Sequence, residues 1–104
     1  MTTIELLTKA ARLYNVAGIE PHGTPPTLDI MGRDSQPWSE ACFFCVLGAI
    51  WVTSEPGSRT TDAEDELQRA ARTLGIYWVT DITDVATGRE VFATAIRNYW
   101  EEAA

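Results

Sequence analysis

Apolar residues recur at helical spacing in three stretches of the chain and crowd together without interruption in a fourth. Over residues 3–17, Ile4, Leu7, Ala11 and Tyr14 form one stripe, with Leu6, Ala10 and Leu13 beside it. Over 61–74 the stripe is Ala63, Leu67, Ala70, Ala71 and Leu74, and over 88–102 it is Val91, Phe92, Ala95, Ile96 and Tyr99. The fourth stretch, residues 41–52, carries no charge and almost no polarity. A helix that is apolar on every side must be surrounded. This run therefore predicts a central helix over 37–54, opened by Pro37 at a first helical position and closed before Glu55, Pro56 and Gly57.

The polar punctuation agrees with a helical scaffold. Thr2 and Glu5, Thr61 and Glu64, and Thr87 and Glu90 each have the spacing of a capping box, in which hydroxyl and carboxylate satisfy free N–H groups at a helix start. Gly18 stands where a left-handed C-terminal cap is expected, and the third helix is expected to stop at Gly75. Between the first two helices, Pro21, Gly23, Pro25, Pro26 and Gly32 forbid a helix. Thr27 to Met31 alternates like a brief strand inside that loop. Residues 76–79 (Ile-Tyr-Trp-Val) read equally as a short strand or a helical turn. The expected fold is thus mainly α: one compact domain over 1–104, about four helices around the central one, and a long Pro/Gly loop over 18–36 with room for a short strand or hairpin.

Composition narrows the function. With 104 residues and 45% apolar content, the chain can bury a core without staples. Its apolar run is too short for a bilayer, which takes about 20 residues, and its start lacks the basic-then-apolar pattern of a signal peptide; a soluble, cytoplasmic protein is expected. The net charge of −7 and the scattering of eight basic residues disfavour a phosphate backbone as ligand. One lysine against seven arginines suits a GC-rich genome.

Candidate chemistry is sparse. Cys42 and Cys45 have the spacing of a redox pair or half a zinc site. A structural zinc needs four ligands, and His22 is the only histidine, so only a site completed by a carboxylate stays open. Inside a greasy helix the two sulfurs are expected to pack as small hydrophobes. The runner-up is a thiol-dependent enzyme or redox switch using Cys42 or Cys45, with His22 as base. Asp81 and Asp84 are expected to serve the turn before the last helix rather than a metal. The acidic run from Asp62 to Glu66 suits a first helical turn. It also leaves open an acidic inhibitor that mimics nucleic acid. Four tryptophans, Trp38, Trp51, Trp78 and Trp100, exceed what one small core easily encloses, and surface aromatics favour protein contacts. No catalytic set, metal or cofactor is expected. The leading expectation is a non-enzymatic module that binds another protein or a second copy of itself.

The run Phe44-Cys45-Val46-Leu47-Gly48-Ala49-Ile50 resembles the cysteine-then-Leu-Gly-Ala signature of the domain-of-unknown-function family 6197, small proteins of actinobacteria and their phages. The order also fits, with Leu6-Leu7-Thr8-Lys9-Ala10-Ala11 in an N-terminal helix, a Gly/Pro-rich loop, then the signature. Towards the C-terminus the family's Trp-Asn-Asp turn reads Ile82-Thr83-Asp84 here, and its Pro-Gly reads Val85-Ala86. Thr87, Glu90 and Val91 keep its threonine-capped helix. The resemblance implies an actinobacterial or phage source, and the expected acidic, aromatic-rich binding module would then be a phage-encoded factor acting on a host protein. The likeness itself assigns no activity and no functional residue.

Overall fold

The computed structural model describes residues 1–18, 27–28, 43–55, 59–82 and 84–103. In chain order its elements are α1 (Thr3–Ala17), β1 (Thr27–Leu28), β2 (Phe43–Phe44), α2 (Val46–Thr53), α3 (Thr61–Thr73), a 3-10 turn (Val79–Asp81) and α4 (Val85–Ala103). The mainly helical class is as expected. A radius of gyration of 12.8 Å matches the roughly 13 Å of a compact chain of this length.

The apolar run divides where a uniform helix was expected. Phe43 and Phe44 are extended and pair antiparallel with Leu28 and Thr27, respectively. The helix begins only at Val46, because Cys45 keeps an extended backbone (φ −78°, ψ 178°) and acts as its N-cap. Strand pairing claims the first part of the run and helix the second. From Val46 to Thr53 no residue is exposed, so the enclosed rod inferred from the sequence is present but shorter. It packs on α1, α3, β2 and the 3-10 turn, while α1 packs against each of the other three helices.

Two of the three caps are displaced. Thr2 behaves as expected, its hydroxyl accepting from the Glu5 N–H at 3.2 Å. α3 is preceded by Thr60 rather than capped by Thr61. α4 starts three residues before Gly88, and Asp84 caps it by accepting from the Thr87 N–H at 2.7 Å. That N–H bond, together with the Thr87 hydroxyl, holds the Asp84 carboxyl below the ordinary carboxylate range. Gly75 does end α3 in the left-handed region (φ 84°). Its N–H reaches the Arg72 carbonyl, and the Ile76 N–H reaches that of Ala71, the paired bonds of a Schellman turn. Gly18, by contrast, is extended (φ −69°, ψ 145°). A Cβ there would stand 2.6 Å from the Tyr14 carbonyl and 2.9 Å from its ring, so close approach, not a positive φ, calls for glycine.

The core forms one cluster. Leu7, Ala10 and Tyr14 of α1, Ala49 and Ile50 of α2, Leu67, Ala70 and Ala71 of α3, and Val91 and Ala95 of α4 are fully enclosed. The alanines let helices approach closely, and each enclosed Leu, Ile or Val contributes about 1.5–3 kcal/mol. Tyr14 packs against Phe92 with ring centroids 5.4 Å apart. Ile76, Val79 and Ile82, the ambiguous stretch, face this cluster through a turn and a 3-10 turn rather than a strand.

Candidate functional site

Three of the expected site residues, His22, Trp38 and Cys42, lie outside the described residues. The others fall into two kinds, those engaged within the fold and those presented to solvent.

Cys45 belongs to the first kind. Its Sγ accepts from the Gly48 N–H at 3.4 Å, and the residue is only 6% exposed. A helix N-terminus ordinarily favours a thiolate. Here burial outweighs it: desolvation pushes the thiol up from its ordinary value, against the smaller downward pull of the Gly48 N–H. The sulfur is a capping and packing group in its neutral form. Iodoacetamide at neutral pH is therefore expected to leave Cys45 unmodified in the native protein while the urea-unfolded chain reacts fully. Tandem mass spectrometry of the peptide spanning 42–45 reads Cys45 separately from Cys42. Prompt native labelling of Cys45 would show an accessible thiolate and reverse this assignment.

Trp51 is likewise committed. It is half-buried beside the core, and its Nε1 donates to Glu64 Oε1, which ties α2 to the first turn of α3. Thr60 Oγ1 donates to the same carboxylate oxygen at 3.3 Å. Glu66, two residues further on, has an Oε2 that finds no hydrogen-bond partner among the described residues. Desolvation raises its carboxyl above the ordinary range, Arg69 lowers it, and Glu102, Asp65 and Asp62 raise it further. Arg69 bridges Glu66 at 3.3 Å and Glu102 at 2.6 Å, joining α3 to α4. Among the described residues no group of three or more His, Cys, Asp or Glu is placed to hold a metal ion, and no helix is long and apolar enough to cross a membrane.

Trp78 and Trp100 are of the second kind. Trp78 is 49% exposed and Tyr77 67%. Their rings meet edge to face, with centroids 4.8 Å apart and planes at 89°. The end of α3 sets this pair in place. Gln68 donates through Nε2 to the Tyr77 carbonyl, and its Oε1 accepts from the Val79 N–H at 3.0 Å, so one side chain clamps both sides of Trp78. Arg72, one turn along α3, donates to the same carbonyl and places its guanidinium carbon 5.4 Å from each ring centroid. A tyrosine, a tryptophan and an arginine thus share one exposed, preorganised patch. Arginine over aromatic faces adds about 0.5–1 kcal/mol at exposed sites.

Trp100, 59% exposed, sits near the end of α4, one position off the stripe that buries Phe92 and Ala95. With Ile4, Glu5, Thr8, Lys9 and Arg12 of α1 it lines an open, mostly apolar groove of about 350 Å³. These α1 residues occupy the face opposite Leu6, Leu7, Ala10 and Tyr14. Gln68, Arg72 and Tyr77 of the patch, and Lys9 and Arg12 of the groove, are the site residues that sequence reading missed. Their signal was present in part, since Arg72 and Tyr77 flank the left-handed turn at Gly75.

Comparison of the chain with family models, with curated proteins and with solved structures yields no match.

Proposed function

We propose that the chain is a non-enzymatic protein-binding module whose contact surface is built on Trp78, with Tyr77 and Arg72, and on Trp100. One observation carries this reading. Of the five large hydrophobic residues that stand exposed among the described residues, three are aromatic, Tyr77, Trp78 and Trp100, while the core holds Tyr14 and Phe92 among alanine, leucine, valine and isoleucine. Tryptophan, tyrosine and arginine are the residue types most enriched among those that dominate binding energy at protein interfaces. An aromatic pair already held in one geometry by Gln68 and Arg72 also has little side-chain entropy left to lose on binding. The buried, neutral thiol of Cys45 adds nothing to an enzymatic alternative.

The resemblance to family 6197 suggests where to look for the partner, in the cytoplasm of an actinobacterium, infected by phage or not. The test is affinity capture from such a lysate with the wild-type chain, Trp78→Ser and Trp100→Ser. One protein should be retained by the wild type and reduced at least about tenfold by one of the two substitutions, the loss expected for an interface residue worth 1.4 kcal/mol or more. Both variants should melt close to the wild-type temperature, because exposed positions change stability by only about 0.5 kcal/mol. An identical set of retained proteins for all three chains would overturn the proposal.

A further inference from the structure

We infer that the α1–α4 groove receives a short acidic segment of a partner protein, anchored by one apolar side chain against Trp100 and oriented by Lys9 and Arg12. This rests on the reading of the chain as a binding module and assigns the chemistry of what one of its surfaces binds.

The argument is one of charge set against an apolar floor. Among the described basic residues, Arg69 is paired with Glu66 and Glu102, Arg72 lies over Tyr77 and Trp78, and Arg89 donates to the Asn15 carbonyl at 3.0 Å. Lys9, Arg12, Arg59 and Arg97 form no ion pair among the described residues, and of these Lys9 and Arg12 line the groove beside the exposed Trp100. They stand three residues apart on a single face of α1, a spacing that presents both cations to one ligand. The groove's one acidic residue, Glu5, is drawn to the helix start, where its Oε1 accepts from the Thr2 hydroxyl at 3.2 Å.

The net charge of −7 does not oppose this. Charges separated by more than about 8 Å are largely screened at physiological ionic strength, so a bound segment responds to the two cations beside it. An acidic segment is repelled locally where carboxylates cluster, as at Asp62, Asp65 and Glu66, which sharpens the choice of site. The groove is at the small end of binding cavities. It admits an anchoring side chain with flanking carboxylates rather than a broad folded face.

Selection of random dodecapeptides displayed on phage against the intact protein tests this. The enriched peptides should carry Asp or Glu on both sides of a Leu, Phe or Trp. As synthetic peptides they should weaken at least about tenfold on Lys9→Glu/Arg12→Glu and on Trp100→Ser, and weaken as salt rises. Each variant's melting temperature is measured alongside, and Lys9→Gln/Arg12→Gln, which adds no new charge, repeats the comparison if the reversed pair unfolds. Neutral or basic peptides bound at Trp100 would overturn the inference, as would acidic ones indifferent to Lys9 and Arg12. Peptides lost on Trp78→Ser but not on Trp100→Ser would overturn it while leaving the binding-module reading intact. A library that enriches nothing on either surface counts against both.

Discussion

Gly88→Ala is expected to destabilise the protein by about 2 kcal/mol, although alanine is the better helix former by about 1 kcal/mol. Gly88 is buried within α4. A Cβ at this position would stand 2.0 Å from the Tyr14 hydroxyl oxygen, 2.5 Å from Cζ and 2.7 Å from Cε1. None of these contacts is tolerable without movement. Tyr14 has little room to move, being fully buried and packed at a tilt of 45° against the Phe92 ring. Overpacking of this kind costs about 1–3 kcal/mol and occasionally more; contacts this short belong at the upper end, and subtracting the propensity gain leaves the net figure. The melting temperature should fall by roughly 10 °C, at 4–8 °C per kcal/mol for a domain of this size. Tyr14→Phe removes only the nearest contact and should relieve part of the strain, whereas in a Tyr14→Leu background the alanine should become favourable. A stabilised Gly88→Ala single variant would mean that propensity decides at this position and that the α1–α4 contact is looser than described.

That glycine also shows where sequence reasoning reached and where it stopped. The stripes of α1, α3 and α4 were legible because each repeats its apolar positions over about two and a half turns or more. The spacing of Thr87 and Glu90 puts Gly88 at the start of the last helix, which gives no reason for a glycine; that reason lies 74 residues earlier, in the ring of Tyr14. The onset of α2 was misplaced for a related cause. Periodicity cannot separate a buried strand from a buried helix in a short apolar run. What decides at Phe43 and Phe44 is pairing with Thr27 and Leu28, a contact made across the loop. Cysteine is not among the preferred capping residues, so nothing local marked Cys45 as the cap. Of the site, the off-stripe position of Trp100 was readable from the spacing of Phe92, Ala95 and Tyr99. The bracing of Trp78 by Gln68 and Arg72 required the turn at Gly75 to be built first. The groove depended on α1 lying beside the end of α4.

Ile50→Ala should cost about 3–4 kcal/mol, the larger of the two effects and the direct test of whether α2 is the enclosed rod around which the other elements close. Ile50 is fully buried, as are its neighbours Ala49 and Val46, and α2 is covered by α1, α3, β2 and the 3-10 turn. Truncation removes the transfer free energy of the lost carbons and leaves a cavity whose walls belong to several elements. Such sites collapse poorly, and Ile→Ala in cores costs about 2–5 kcal/mol. Against a typical total of 5–15 kcal/mol, that is a large fraction of the stability from one side chain. Val16, 87% exposed on α1, is the matched control: Val16→Ala should stay within about 0.5 kcal/mol. Urea unfolding reads both, and the midpoint of Ile50→Ala should fall with its slope unchanged, because the surface exposed on unfolding is nearly the same. A loss below about 1 kcal/mol would place α2 at a site that relaxes freely, as a peripheral helix does. The same experiment bears on the thiol, since Cys45 caps this helix from the position just before its first residue, Val46. In the Ile50→Ala protein, local opening of α2 should raise the rate at which iodoacetamide reaches Cys45. If labelling stays as slow as in the wild type while stability falls, the sulfur is protected by the β1–β2 pair and not by the helix it caps.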